Sequence, residues 1–149
     1  MAVSVAPSVE AMQAIVARIN GAATYCLPVS ATYGEHLIDD LEESETRVDV
    51  ISETEEQLEE TLDIEDRSSH ALRIWIRKKV DSSNNDEINP LKLLTRQLFQ
   101  RVNDYDTTNG RVKVWECDQE SKESPDKGML RQTGLFVTSI LLRVEVEAS

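Results

Sequence analysis

The residues of this chain that could do chemistry are few and scattered. His36 and His70 are its only histidines, and neither has a second His or Cys at metal-ligand spacing. His70 follows Ser68 and Ser69, which suggests a Ser–His pair. Adjacent strand residues point to opposite faces, however, and no orienting acid is specified, so His70 reads as a surface or strand-entry residue. The acidic run from Glu35 to Asp66 offers carboxylates to a divalent cation. Its segments "DDLEESE" and "ETEEQLEE" lack the glycine turn that makes carboxylates converge, so a solvated acidic face is expected. The five glycines form no phosphate-cradling loop. Cys26 and Cys117 form neither a CxxC pair nor a disulfide framework. They read as two buried, reduced thiols and suit a reducing cytoplasm. The expectation is a protein with no catalytic residue, no metal and no cofactor.

One cluster stands out by charge. Arg73, Arg77, Lys78 and Lys79 gather on a strand of an otherwise acidic chain. One reading is a solvated strand face, or an edge kept charged against aggregation. The other is a self-complementary contact between subunits. Arg73, Arg77, Lys78 and Lys79 would form one side; Glu53, Glu55, Glu56, Glu59 and Glu60 would form the other. Such a head-to-tail contact makes a ring when it closes.

Composition sets the bounds. The 149 residues suit a single domain, 1–149, and 40% hydrophobic residues can build a real core. Aromatics are only 5%, so the core must be aliphatic. A net charge of −12 repels nucleic-acid phosphates and anionic membranes. No apolar run approaches the roughly 18–20 residues of a membrane span, so no membrane partner is expected. The first residues lack a basic region before an apolar stretch, so no signal peptide is expected.

The elements that would position these residues follow from periodicity. Met12, Ile15, Val16 and Ile19 form one helical stripe, predicting a helix over Ser8–Asn20 capped by Ser8 and stopped at Gly21. A short strand is expected near Thr24–Leu27, then loop. Val48 and Val50 alternate in a half-buried strand. The Glu-rich stretch after it permits either a helix or an extended arm returning as a hairpin. In "HALRIWIRKKV", Leu72, Ile74 and Ile76 face one side while Arg73, Trp75 and Arg77 face the other. Asn89–Pro90 suits the start of a second helix, Asn89–Tyr105, with Leu91, Leu94, Leu98 and Val102 on one face. Asn109–Gly110 is a turn signal before a strand carrying Val112 and Val114. "DQESKESPDKG" reads as an exposed loop. Phe136, Ile140, Leu142, Val144 and Val146 share a parity in the last strand. The fold class is α+β: a mixed, mostly antiparallel sheet with two helices on one face, plus an extended hairpin or loop arm.

This order resembles the tail terminator-like proteins of tailed bacteriophages and prophages. "RVDVISETEE" resembles their strand after the first loop. "SSHALRIWIRKKVD" resembles their central strand, which often ends in a basic pair. "LRQTGLFVTSILLRVEV" is similar to their last strand. The likeness covers about four-fifths of the chain and departs most at Glu53–Asp66, which is richer in Glu than the family. In that family this segment is often an extended hairpin, which inclines the ambiguous stretch to the extended form. The resemblance implies a non-enzymatic virion subunit, assembling into a hexameric ring that caps the tail tube and joins it to the neck connector. Its partners would be its own copies, the tail tube protein and the connector protein. It would work at the tail–neck junction after assembly in the host cytoplasm, and DNA would pass through without specific binding. The alternatives are another neck or head-completion adaptor, or an acidic DNA mimic that occupies a nucleic-acid-binding partner. A metal-dependent hydrolase using the acidic run has the least support.

Overall fold

The computed structural model describes residues 6–21, 24–37, 41, 45–56, 67–103, 105–106, 111–118 and 125–147. They form an α+β domain of three helices and a five-stranded mixed sheet. Helix α1 spans Pro7–Asn20, followed by strands β1 (Ala31–Gly34), β2 (Arg47–Glu56) and β3 (Arg67–Lys79). Helix α2 (Asn85–Val102), β4 (Val112–Asp118), α3 (Lys127–Thr133) and β5 (Leu135–Glu147) complete the order. The strands lie in the order β1-β2-β3-β5-β4. Only β1 and β2 run parallel; the other neighbours are antiparallel.

The period-two pattern sets one face of this sheet against α1 and α2. Val48, Ile76 and Thr138 lie side by side across β2, β3 and β5; so do Val50, Ile74 and Ile140. Leu142, Val144 and Val146 extend that face to Val112 and Val114 on β4. Onto it pack Met12, Ile15 and Ile19 of α1 and Leu91, Leu94, Leu98 and Val102 of α2. The two helices are also tied near their C-termini. Arg18 Nε donates to the Arg101 carbonyl and Arg101 Nε to the Arg18 carbonyl, each at 2.9 Å. Near the start of α1, Glu10 holds Arg111 through two bonds of 2.9 and 3.0 Å.

Several boundaries differ from the sequence expectations. Ser8 is not the cap of α1: Pro7 opens the helix after Ala6, where its missing N–H costs nothing. Helix α2 begins one turn before Asn89–Pro90, because the Asn84 side chain accepts from the Asp86 N–H at 3.0 Å. Pro90 is thus inside the helix, and the helix ends at Val102 rather than Tyr105. The first strand is Ala31–Gly34, not Thr24–Leu27. Tyr25 and Cys26 are tied instead to the helices, through the Ile19 carbonyl and the Gln97 side chain. Asn20 holds Ala31 in place: its amide oxygen accepts from the Ala31 N–H at 2.8 Å and its nitrogen donates to the Ala31 carbonyl at 3.1 Å.

The third helix replaces part of the expected loop. Asp126 caps α3 by accepting from the Met129 N–H at 3.1 Å, and Gly134 closes it in the left-handed conformation, φ 66°. A side chain at Gly134 would also meet the Val80 carbonyl at 3.0 Å. The polar loop that precedes Pro125, 119–124, lies outside the described residues, as does the expected Asn109–Gly110 turn. Of the ambiguous arm, Glu53–Glu56 is extended and belongs to β2; 57–66 lie outside the described residues.

Candidate functional site

The alternation that buries Ile74 and Ile76 turns Arg73, Trp75 and Arg77 to the opposite face of the sheet. There the basic strand finds its partners within its own chain. Asp49, directly across β2 from Trp75, is a hub. It accepts from Thr32 Oγ1 at 2.8 Å, from Arg47 Nε at 3.1 and 3.3 Å, and from Arg77 at 3.1 Å. Asp49 is 4% exposed and Arg77 5%, so this pair is sealed from water. Arg73 reaches Glu53 at 2.7 Å and Ser139 Oγ at 3.1 Å, and lies 5.7 Å from the Trp75 ring. The same face carries Trp115, whose indole donates to Ser69 Oγ at 3.3 Å.

The structure therefore brings Arg73 and Glu53 together within one chain, although the sequence suggested opposite sides of a contact between chains. Antiparallel pairing places Arg73 opposite Ile51, two residues from Glu53, which is within diagonal reach on the same face. Lys78 pairs with Phe136 and so belongs to the helix-bearing side of the sheet; Lys79 is exposed on the other. The four basic residues do not share one surface. Glu55 and Glu56 lie opposite His70 and Ser69 in the β2–β3 ladder, while Glu59 and Glu60 lie outside the described residues.

The remaining chemical candidates are also placed. His36 is exposed after β1. His70 is 2% exposed, a correction to its reading as a surface residue. Its Nε2 lies 2.8 Å from Ser68 Oγ, because residues two apart on a strand share a face. A base so buried gives a substrate carbonyl no approach. Among the described residues no three His, Cys, Asp or Glu side chains converge as a metal site. Neither cysteine forms a disulfide, but Cys26 is exposed and Cys117 half-buried, which corrects the expectation of two buried thiols. Desolvation raises the Cys26 pKa, and the thiol donates to the Pro90 carbonyl at 3.2 Å, so it is held as a thiol rather than a nucleophilic thiolate.

A second charged surface was hidden from sequence reading. The first half of α2 and the short α3 flank a groove of about 470 Å³. Ile88 and Leu130 line it with apolar surface, and Lys92, Lys127 and Arg131 bring three cations to it. None of the three forms an ion pair with another described residue. The nearby acids are engaged in local structure. Asp126 caps α3, Glu87 accepts from the Asp81 N–H at 2.7 Å, and Asp81 accepts from the N–H and hydroxyl of Ser83. Lys92 and Arg131 are far apart in sequence, so only the cap signals Asp126 and Gly134 could have revealed that a helix brings them together.

Among known proteins, no family model matches this chain and no curated protein matches it.

Proposed function

We propose that this chain is a structural subunit of a tailed-phage virion, a tail terminator that closes the tail tube as a homo-oligomeric ring and joins it to the neck connector. The observation that carries the reading is the element order. Helix, short strand, the long β2–β3 pair, helix, strand and a last long strand run in the order that the resemblance implies, with the short α3 added before the last strand where it implies a polar loop. The distribution of charge supports it further. A chain of net charge −12 keeps three cations in one groove and concentrates carboxylates on the β2–β3 connection, an arrangement suited to heterologous contact between identical subunits. An acidic ring around the genome's path would repel phosphates and lessen sticking. The reading assigns the chain no catalytic step.

The test is mass in solution, with and without the tail tube protein, combined with virions that lack the chain. A ring is expected with the tube protein, and at high concentration without it. Tails of normal length that join heads normally in the absence of this chain would sink the proposal.

A further inference from the structure

The position of the α2–α3 groove, set against the acidic connection, deepens that reading and rests on it for the identity of the assembly. We infer that the groove is the receptor for residues 57–66 of a second copy of this chain. The chemistry is complementary. Residues 57–66 read "QLEETLDIED": Glu59, Glu60, Asp63, Glu65 and Asp66 are acidic, there is no Lys or Arg, and Leu58, Leu62 and Ile64 are apolar. The groove offers the matching set, with Lys92, Lys127 and Arg131 around Ile88 and Leu130. Arg73 and Arg77 do not compete for this role, since Glu53 and Asp49 hold them within the chain.

Geometry decides between a subunit's own groove and its neighbour's. Residues 57–66 connect Glu56 to Arg67, at one end of β3. The groove includes Ser82, just beyond the other end of β3 at Lys79. A strand of 13 residues is about 40 Å long at about 3.3 Å per residue. Ten residues tethered at both ends can reach out only about 19 Å, half their extended length. That reach is about half the length of β3, which favours the groove of a second copy over the chain's own. A contact between opposite ends of identical subunits is head-to-tail, and it closes into a ring when the rotation permits.

The experiment uses the full chain and a fluorescent synthetic peptide of residues 57–66, read by anisotropy. The expected result is saturable binding that weakens with added salt and is lost by at least about tenfold in the triple variant Lys92→Glu, Lys127→Glu, Arg131→Glu. Lys113→Glu, a reversal on exposed β4, should bind as the parent does. The milder triple variant to Gln, with an unchanged thermal melt, guards against misfolding and should bind more weakly than the parent. No binding by the parent, or equal binding by a folded triple variant, overturns the inference.

Sedimentation then separates this inference from the ring reading. The Glu triple variant should lose self-association. So should a chain with Glu59, Glu60, Asp63, Glu65 and Asp66 all changed to Lys. Mixing the two should restore association, because each supplies the surface that the other needs. If the groove variant assembles as the parent does, the groove is wrong and the ring reading stands. If the parent binds peptide but never associates, alone or with tube protein, the ring reading fails and the groove stands.

Discussion

The outer face of the sheet and the α2–α3 groove both carry cations, but they use them in opposite ways. On the sheet, Arg47, Arg73 and Arg77 meet Asp49 and Glu53 at 2.7–3.3 Å, largely out of water. In the groove, Lys92, Lys127 and Arg131 meet no described carboxylate. A charge cluster written contiguously in a sequence is also the one that neighbouring strands most readily neutralise, since a hairpin sets i and j side by side. Charges that converge only through tertiary structure keep their valence for something else. The comparison teaches that the arginines of the obvious basic run are matched within the chain, while the inconspicuous set meets no described carboxylate.

The sharpest way to break this contrast is Asp49→Ala. It removes the carboxylate shared by Arg47 and the buried Arg77, and should cost about 3–5 kcal/mol in chemical denaturation. A loss within experimental error would show that the outer face is not internally sealed. Ile140→Ala provides the apolar reference from the other side of the sheet. It should cost roughly 2–4 kcal/mol, and an unchanged melt would mean that the faces are assigned the wrong way round. Next comes Asn84→Ala, which removes the cap that starts α2 and so one wall of the groove; about 1 kcal/mol of destabilisation is expected. Neutralising all three groove cations to Gln should change stability by no more than about 0.5 kcal/mol, since exposed charges without partners contribute little. A large destabilisation there would place those cations with the structural set.

The smallest effect is a pH dependence at the groove's edge. Hydrogen bonds from the Ser83 amide and hydroxyl hold the Asp81 carboxyl below its ordinary value. A depressed folded pKa gives a contribution that is present above the unfolded pKa and lost as pH falls through the folded one. Stability should therefore decline slightly below about pH 4, and Asp81→Asn should flatten that part of the profile.

Much of the fold was legible because apolar period-two and helical patterns report burial directly. The inner faces of β3 and β5, and the stripes of α1 and α2, follow from Leu72–Ile76, Ile140–Val146 and the spaced leucines of α2. The α2 start was misplaced because Asn89–Pro90 imitates a helix start more strongly than Asn84, whose capping bond needs a geometry that spacing alone does not show. The α3 helix was missed because seven residues leave no periodicity, and its groove vanished with it. The candidate contact was half legible. The acidic stretch is visible as composition, whereas its basic counterpart is assembled from residues 92, 127 and 131. The run at 73–79 looked like that counterpart because a sequence does not show which charges are already matched across a ladder.

Strand β5 lies between β3 and β4, although it follows both in the chain. The sheet consequently cannot be laid down in the order of synthesis. Until Leu135–Glu147 has emerged from the ribosome, β3 has an open edge, β4 has no neighbouring strand, and α1 and α2 have a floor with one board missing. Such unfinished edges pair readily with other chains. A nascent chain stalled before Leu135 is an aggregation hazard rather than a half-built domain, and the sheet is complete only when β5 slots between β3 and β4.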